Sequence, residues 1–109
     1  MKIKIGDIIL VPFPYTDLTG SKLRPALVLF ISKLDVTVIF MTTNLEVADG
    51  YDVLLRPDTF NDLAKPTLIK ISKLVTIDKE LSKRNYGYIS DRDRRKVMDN
   101  LTALIKSGY

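Results

Sequence analysis

Apolar positions along the first half of the chain gather in short runs. "IILVPF" (8–13), "ALVLFIS" (26–32) and "VTVIFMT" (36–42) are rich in β-branched and aromatic residues and are bounded by turn formers, so each reads as a strand. Gly6-Asp7 suits a turn entering the first. "SKLD" (32–35) is short enough to join the second and third as a hairpin. "YDVLL" (51–55), "TLIKIS" (67–72), "LVTI" (74–77) and "YGYI" (86–89) extend the series. In 67–72, Leu68, Lys70 and Ser72 alternate with Ile69 and Ile71, which predicts a strand with one wet face. Pro57 and Pro66 bracket a polar segment, "PDTFNDLAKP", which reads as a loop or a short helical turn.

After residue 89 the period changes. Val97, Met98, Leu101, Leu104 and Ile105 form one helical stripe. Ser90 is a good N-cap, and Asp93 three residues on completes a Ser-x-x-Asp box. Asp91 and Asp93 suit the positive end of a helix, and Lys106 and Gly108 the other end. The sum is six or seven short strands and one terminal helix. That predicts a mainly β fold in which a small, strongly curved antiparallel barrel is covered by a C-terminal helix. The 109 residues, 1–109, read as one domain, with no repeats or linkers.

Composition narrows the chemistry. There is no cysteine, which removes disulfides, thiolate nucleophiles and Cys-based zinc sites. There is no histidine, which removes a Ser-His-Asp triad, a His general base and a His metal ligand. Catalysis in this chain must run on Asp, Glu, Lys, Arg, Tyr, Ser or Thr. The start, "MKIKIGDIILVPFPY", is positive and then apolar, but Asp7, Pro12 and Pro14 interrupt it and no small-residue cleavage site follows. No stretch reaches the length of a membrane span. A soluble, cytoplasmic protein with no membrane partner is expected.

Net charge is +4, and its distribution is uneven. Residues 32–62 carry six acids against two bases, whereas 65–96 carry ten bases against four acids. Such asymmetry suggests an anionic partner for part of the surface, but solvated basic faces are common and charge alone favours that plainer reading.

Three constellations stand out. Arg24 directly precedes Pro25, and proline, which cannot donate to a ladder, belongs at a strand start. That puts Arg24 in the connecting loop, where its fork of donors suits phosphate oxygens or a plain ion pair, for instance with Asp17. Thr42, Thr43 and Asn44 end the third strand. They fit phosphate or base contacts, or simply β-propensity and a turn. "RNYGY" (84–88), followed by Arg92, Arg94, Arg95 and Lys96, interleaves basic residues with Tyr86 and Tyr88. Such a pattern stacks bases and holds phosphates, or lies half-buried beside a solvated helix face. On spacing alone the plainer role leads in each case. No Gly-rich phosphate loop and no dense carboxylate cluster with metal spacing is present.

The order of these segments resembles the MazF/PemK family of toxins from type II toxin–antitoxin systems. "GDIILVPFPYTDLTGSKLRPALVL" is similar to that family's opening, and "MTTN", "KPTLIKISKLVTIDK" and "GYISDRD" match its later blocks in order. The resemblance covers nearly the whole chain. It implies an SH3-like (CcdB/PemK-like) barrel, usually a homodimer, that cleaves single-stranded RNA without a metal or other cofactor and arrests growth. A cognate antitoxin with an acidic flexible tail blocks such toxins, and the pair binds DNA as a complex. Carried over residue by residue, the resemblance implies Arg24 and Thr42 as catalytic residues; the loop before Arg24-Pro25 lacks the glutamate that some members carry there, and Asp17, the nearest carboxylate, is the candidate base or a group orienting Arg24. Thr19, Ser21, Lys22, Thr43, Asn44 and Lys70 become expected RNA contacts, with Thr19-Gly20-Ser21 at the mouth of the RNA groove. Barrels of this fold also include gyrase poisons that cut no RNA, so a non-enzymatic or purely binding member stays open.

Overall fold

The computed structural model describes residues 2–14 and 20–108. Among the described residues, strands β1 (Asp7–Pro14), β2 (Ser21–Ile31), β3 (Asp35–Thr42), β4 (Val53–Leu55), β5 (Thr67–Asp78) and β6 (Arg84–Tyr88) precede one α-helix, α1 (Asp91–Lys106). Two short 3-10 turns, Leu45–Val47 and Lys79–Leu81, sit between strands. The strands form one antiparallel sheet in the order β4-β5-β3-β2-β1-β6. It curls into a half-barrel with the helix against one face, the mainly β architecture that the pattern predicts.

The apolar runs are continuous because both faces of the sheet are buried. Successive residues of β1 and β2 alternate between two cores. Ile8, Leu27, Leu29, Ile39, Met41, Ile69 and Ile71 pack with Val97, Leu101 and Leu104 of α1. Ile9, Val11, Ala26, Val28, Val36 and Val38 fill the opposite face, flanked by Ile3, Ile31, Phe40, Val75 and Ile77.

Several boundaries differ from expectation. The segments 67–72 and 74–77 are one strand, β5, broken in register rather than by a turn. Ile39 pairs with Leu74 and Met41 with Ile69, so residues 70–73 stand opposite Phe40 alone. Extra residues on one side of a ladder bend the strand and increase its twist, which helps the sheet to curl. The helical stripe is also narrower than its sequence pattern. Val97, Leu101 and Leu104 are buried, but Met98 and Ile105 are exposed at its margins. The helix start is as predicted, with Ser90 Oγ accepting the Asp93 backbone N–H at 3.1 Å. No helix among the described residues is long and apolar enough to cross a membrane.

Gly87 in β6 allows the 57–66 segment to cross closely. A Cβ placed there would lie 2.3 Å from the carbonyl oxygen of Phe60, and that same oxygen accepts the backbone N–H of Tyr88 at 3.0 Å. The next residue, Asn61, is fully buried, where its side chain bonds Arg56 O and the backbone N–H groups of Asp58 and Leu63. Backbone on backbone has little freedom to yield. Gly87→Ala is therefore expected to lower unfolding free energy by about 1–3 kcal/mol, the usual cost of overpacking. A shift of the urea midpoint at unchanged m-value would report it.

Candidate functional site

Arg24 lies inside a strand, not in the loop expected from its sequence position. β2 begins at Ser21, and Arg24 pairs with Val11 and Pro25 with Leu10 of β1. Proline is tolerated in mid-strand because β3 pairs with β2 only from Ala26 onward. Residues 21–25 thus have β1 on one side and no strand ladder on the other, the open-edge setting in which a missing N–H costs no ladder bond.

The alternation of the pleat decides what Arg24 meets. Arg24 shares a sheet face with Ala26 and Val28, and with Val11 and Phe13 across the pair. Its guanidinium carbon lies 5.9 Å from the centroid of the Phe13 ring. That ring stands 3.9 Å from the ring of Phe40. A cation over an aromatic face gains about 0.5–1 kcal/mol at a partly open site, and Arg24 is half-buried here. Among the described residues Arg24 has no acidic partner within 4.0 Å.

Thr42 comes to the same place by register. Ala26 pairs with Phe40, Leu27 with Ile39 and Val28 with Val38. The two strands part beyond Ala26 and Phe40, and Arg24 and Thr42 each lie two residues past that last pair, at the same end of the sheet and on the face that carries Phe40. Thr42 Oγ1 accepts the backbone N–H of Asn44 at 3.1 Å, which leaves its own hydroxyl hydrogen free to donate. Asn44 caps the 3-10 turn, its Oδ1 accepting the Glu46 N–H at 3.1 Å, so its amide nitrogen remains available. Thr43 and Lys22 are exposed, and Lys22 pairs with Phe13 on the Arg24 face. Arg24, Lys22 and Thr42 thus gather at one end of one sheet face.

The other expected contacts divide in two. Asp17 and Thr19 lie outside the described residues, as does the side chain of Ser21, whose backbone opens β2. Lys70 departs from the wet face that its alternation predicts. It is buried, not on a wet face, and its ammonium bonds Asp52 Oδ2 and Val47 O, both at 2.6 Å. The alternation misleads because Leu68 on the same side is also covered and only Ser72 is exposed. Sequence spacing does not single out Phe13 and Phe40. Their signal is the odd-numbered phase of Ile9, Val11 and Phe13, which matches Arg24 only once the pairing register is known.

A family description, PemK-like and MazF-like toxin of type II toxin–antitoxin system, matches residues 4–105. The chain belongs to this MazF-like toxin family. No curated protein matches it in sequence. Among solved structures it is similar to an endoribonuclease in complex with its cognate antitoxin from a mycobacterial species, with a TM-score of 0.78 at 14% identity over 96% of each chain. It is also similar to the Mycobacterium tuberculosis toxin MazF-mt6, with a TM-score of 0.71 at 21% identity over 92% of this chain and 96% of that one. At these identities the likeness is one of fold. The MazF-like fold and the toxin family are therefore assigned to this chain, with Arg24 and Thr42 at one end of its sheet.

Proposed function

We infer that this MazF-like toxin is an endoribonuclease that cuts single-stranded RNA, with Arg24 facing the scissile phosphate. The observation that carries this reading is the placement of Arg24 and Thr42 at the same end of one sheet face, with the guanidinium carbon 5.9 Å from the Phe13 ring centroid and free of any described acid.

The reaction follows from what the chain has. The RNA 2′-oxygen attacks the adjacent phosphorus and forms the O2′–P bond, and the P–O5′ bond breaks. The 2′-hydroxyl loses its proton, the leaving 5′-oxygen gains one, and the products are a 2′,3′-cyclic phosphate and a 5′-hydroxyl. Charge builds on the two non-bridging oxygens, where preorganised donors lower the barrier most. Arg24 offers a permanently charged fork that chelates both, and the Thr42 hydroxyl adds one further bond. Asp17 is the proposed base or the group that orients Arg24. A carboxylate near its reference pKa is a poor proton acceptor, so slow turnover is expected. Lys22, Thr43 and Asn44, with Thr19 and Ser21, supply contacts to the flanking phosphates and bases.

The same reading gives the toxin an antitoxin partner. The structural neighbour solved with its cognate antitoxin supports this, and an acidic tail fits the basic charge of residues 65–96. A homodimer is proposed as well. Ile5, Phe30 and Met98 are exposed apolar residues on a shared crevice beside α1, a feature suited to a covered surface.

Purified protein, incubated with mixed-sequence single-stranded RNA and a metal chelator, should yield fragments ending in cyclic phosphate and 5′-hydroxyl. Thr42→Val, which keeps shape and removes the donor, should slow cutting by about tenfold, the worth of one hydrogen bond to a charged group. RNA left intact by the wild type would refute the assignment. DNA breaks in cells with no RNA products would point to gyrase instead.

A further inference from the structure

Beside the first turn of α1, at the far end of β1 from Phe13, lies an open cleft of about 680 Å³, within the size range of small-ligand sites. It is lined by Lys2, Lys4 and Arg94, by Asn85 and Tyr88 of β6, and by Asp7 and Asp91. Of the two tyrosines of β6, Tyr86 is half-buried against the helix-side core, with the Arg84 guanidinium 4.7 Å from its ring. Tyr88 is 50% exposed. Its ring is backed by Phe60, with centroids 5.6 Å apart, and its backbone N–H is fixed on Phe60 O. It is therefore an exposed aromatic face on a backbone fixed by β6 pairing and the bond to Phe60 O.

The charges around it are unequal. Asp7 is 7% exposed, and its carboxylate already accepts the Lys4 backbone N–H at 2.8 Å and the Asn85 amide at 2.9 Å. Asp91 is exposed in the first turn of α1. Lys2, Lys4 and Arg94 have no acidic partner within 4.0 Å among the described residues. Asn85 keeps its carbonyl oxygen and one amide hydrogen for a ligand. An aromatic platform, three unengaged cations and a free amide edge are the parts that hold a nucleotide: stacking for the base, charge for the phosphates, and an acceptor–donor pair for the base edge.

We propose that this cleft is a second contact surface for single-stranded nucleic acid, with a base stacked on Tyr88 and the neighbouring phosphates on Lys2, Lys4 and Arg94. Tyr88 pairs with Asp7 of β1, whereas Arg24 pairs with Val11. The two sites are thus set apart by four residues along β1, roughly 13 Å, and by two strand spacings, roughly 10 Å. The proposal takes its ligand class from the endoribonuclease reading but none of its residues, so binding here tethers RNA outside the cutting site.

The test uses a fluorescein-labelled, single-stranded 2′-O-methyl RNA, which cannot be cleaved, and anisotropy at several salt concentrations. Tyr88→Ala should weaken binding by about tenfold, the range of one stacked base, and Tyr88→Phe, which keeps the stacking face, should stay within about twofold of the wild type. Lys2→Ala with Lys4→Ala should lower the slope of log affinity against log salt by about 1.4, or 0.7 for each phosphate no longer neutralised. Wild-type affinity in Tyr88→Ala, or equal losses in the Phe and Ala variants, would overturn the proposal. Tyr88-dependent binding of oligoglutamate in place of RNA would assign the cleft to an acidic protein instead. Cleavage is read separately: Tyr88-dependent binding without any cutting refutes the endoribonuclease reading and leaves this surface standing, and cutting with RNA affinity unaffected by Tyr88 does the reverse.

Discussion

Arg24→Ala is expected to cut RNA about 10²–10³-fold more slowly than the wild type, the usual loss when one preorganised donor to the developing charge is removed. The size of the effect comes from geometry. Arg24 sits in a paired strand, half-buried, with its guanidinium carbon 5.9 Å from the Phe13 ring centroid, so its backbone and ring contact favour one position before RNA arrives. Little reorganisation is needed when charge moves onto the phosphoryl oxygens. Arg24→Lys should recover only part of the rate, because an ammonium is a point charge and cannot chelate two oxygens. Single-turnover cleavage with RNA bound to saturation separates this effect from weaker binding. Removing the cation from the ring face costs about 0.5–1 kcal/mol, so the variant should stay folded. A rate equal to wild type would remove Arg24 from the reaction.

Phe13 and Phe40 carry a share of that result, since they fix the platform under Arg24. They also mark the boundary of what is legible in the sequence. Strand runs, the helix and its cap follow from local chemistry: β-branched runs between turn formers, a 3.6 period, and a serine three residues before an aspartate. Each of these is decided within a few neighbouring residues. Arg24 falls elsewhere than its sequence position suggests because the residue pair Arg-Pro carries a local rule, strand start at proline, that applies only where both sides of the strand are paired. β3 leaves β2 at Ala26, and nothing near Pro25 in sequence signals this. The placement of Arg24 and Thr42 at the same end of one sheet face has the same origin. It depends on the β2–β3 register, which is set by cores on two sheet faces at once.

Lys70 departs from its alternation pattern for a related reason, and its replacement carries the second large effect. Lys70→Met is expected to lower unfolding free energy by about 3–5 kcal/mol, the cost of breaking a buried ion pair from one side. Both partners are buried, with side-chain exposures of 9% and 3% for Lys70 and Asp52. Asp52 also accepts the backbone N–H groups of Ile71 at 3.2 Å and Asp49 at 2.9 Å, while Lys70 holds Val47 O. The pair therefore ties the chain from the 3-10 turn to Asp52 onto β5, and Asn100 on α1 adds a bond to Tyr51 O. Removing the ammonium leaves Asp52 charged, covered and held only by two amides. Asp52→Asn in the Lys70→Met background should restore part of the stability, because the remaining group is neutral and still accepts a backbone bond. Urea unfolding of the four species gives the coupling directly. The same variant separates the two roles considered for Lys70. An RNA contact predicts weaker, less salt-dependent binding at unchanged stability. A buried strut predicts the opposite: a large fall in the urea midpoint and, at a temperature where the variant is folded, an unchanged salt slope for uncleavable RNA. The segment that this strut holds runs directly on from Thr42 and Asn44, so partial melting of it should also slow cleavage while Arg24 stays in place.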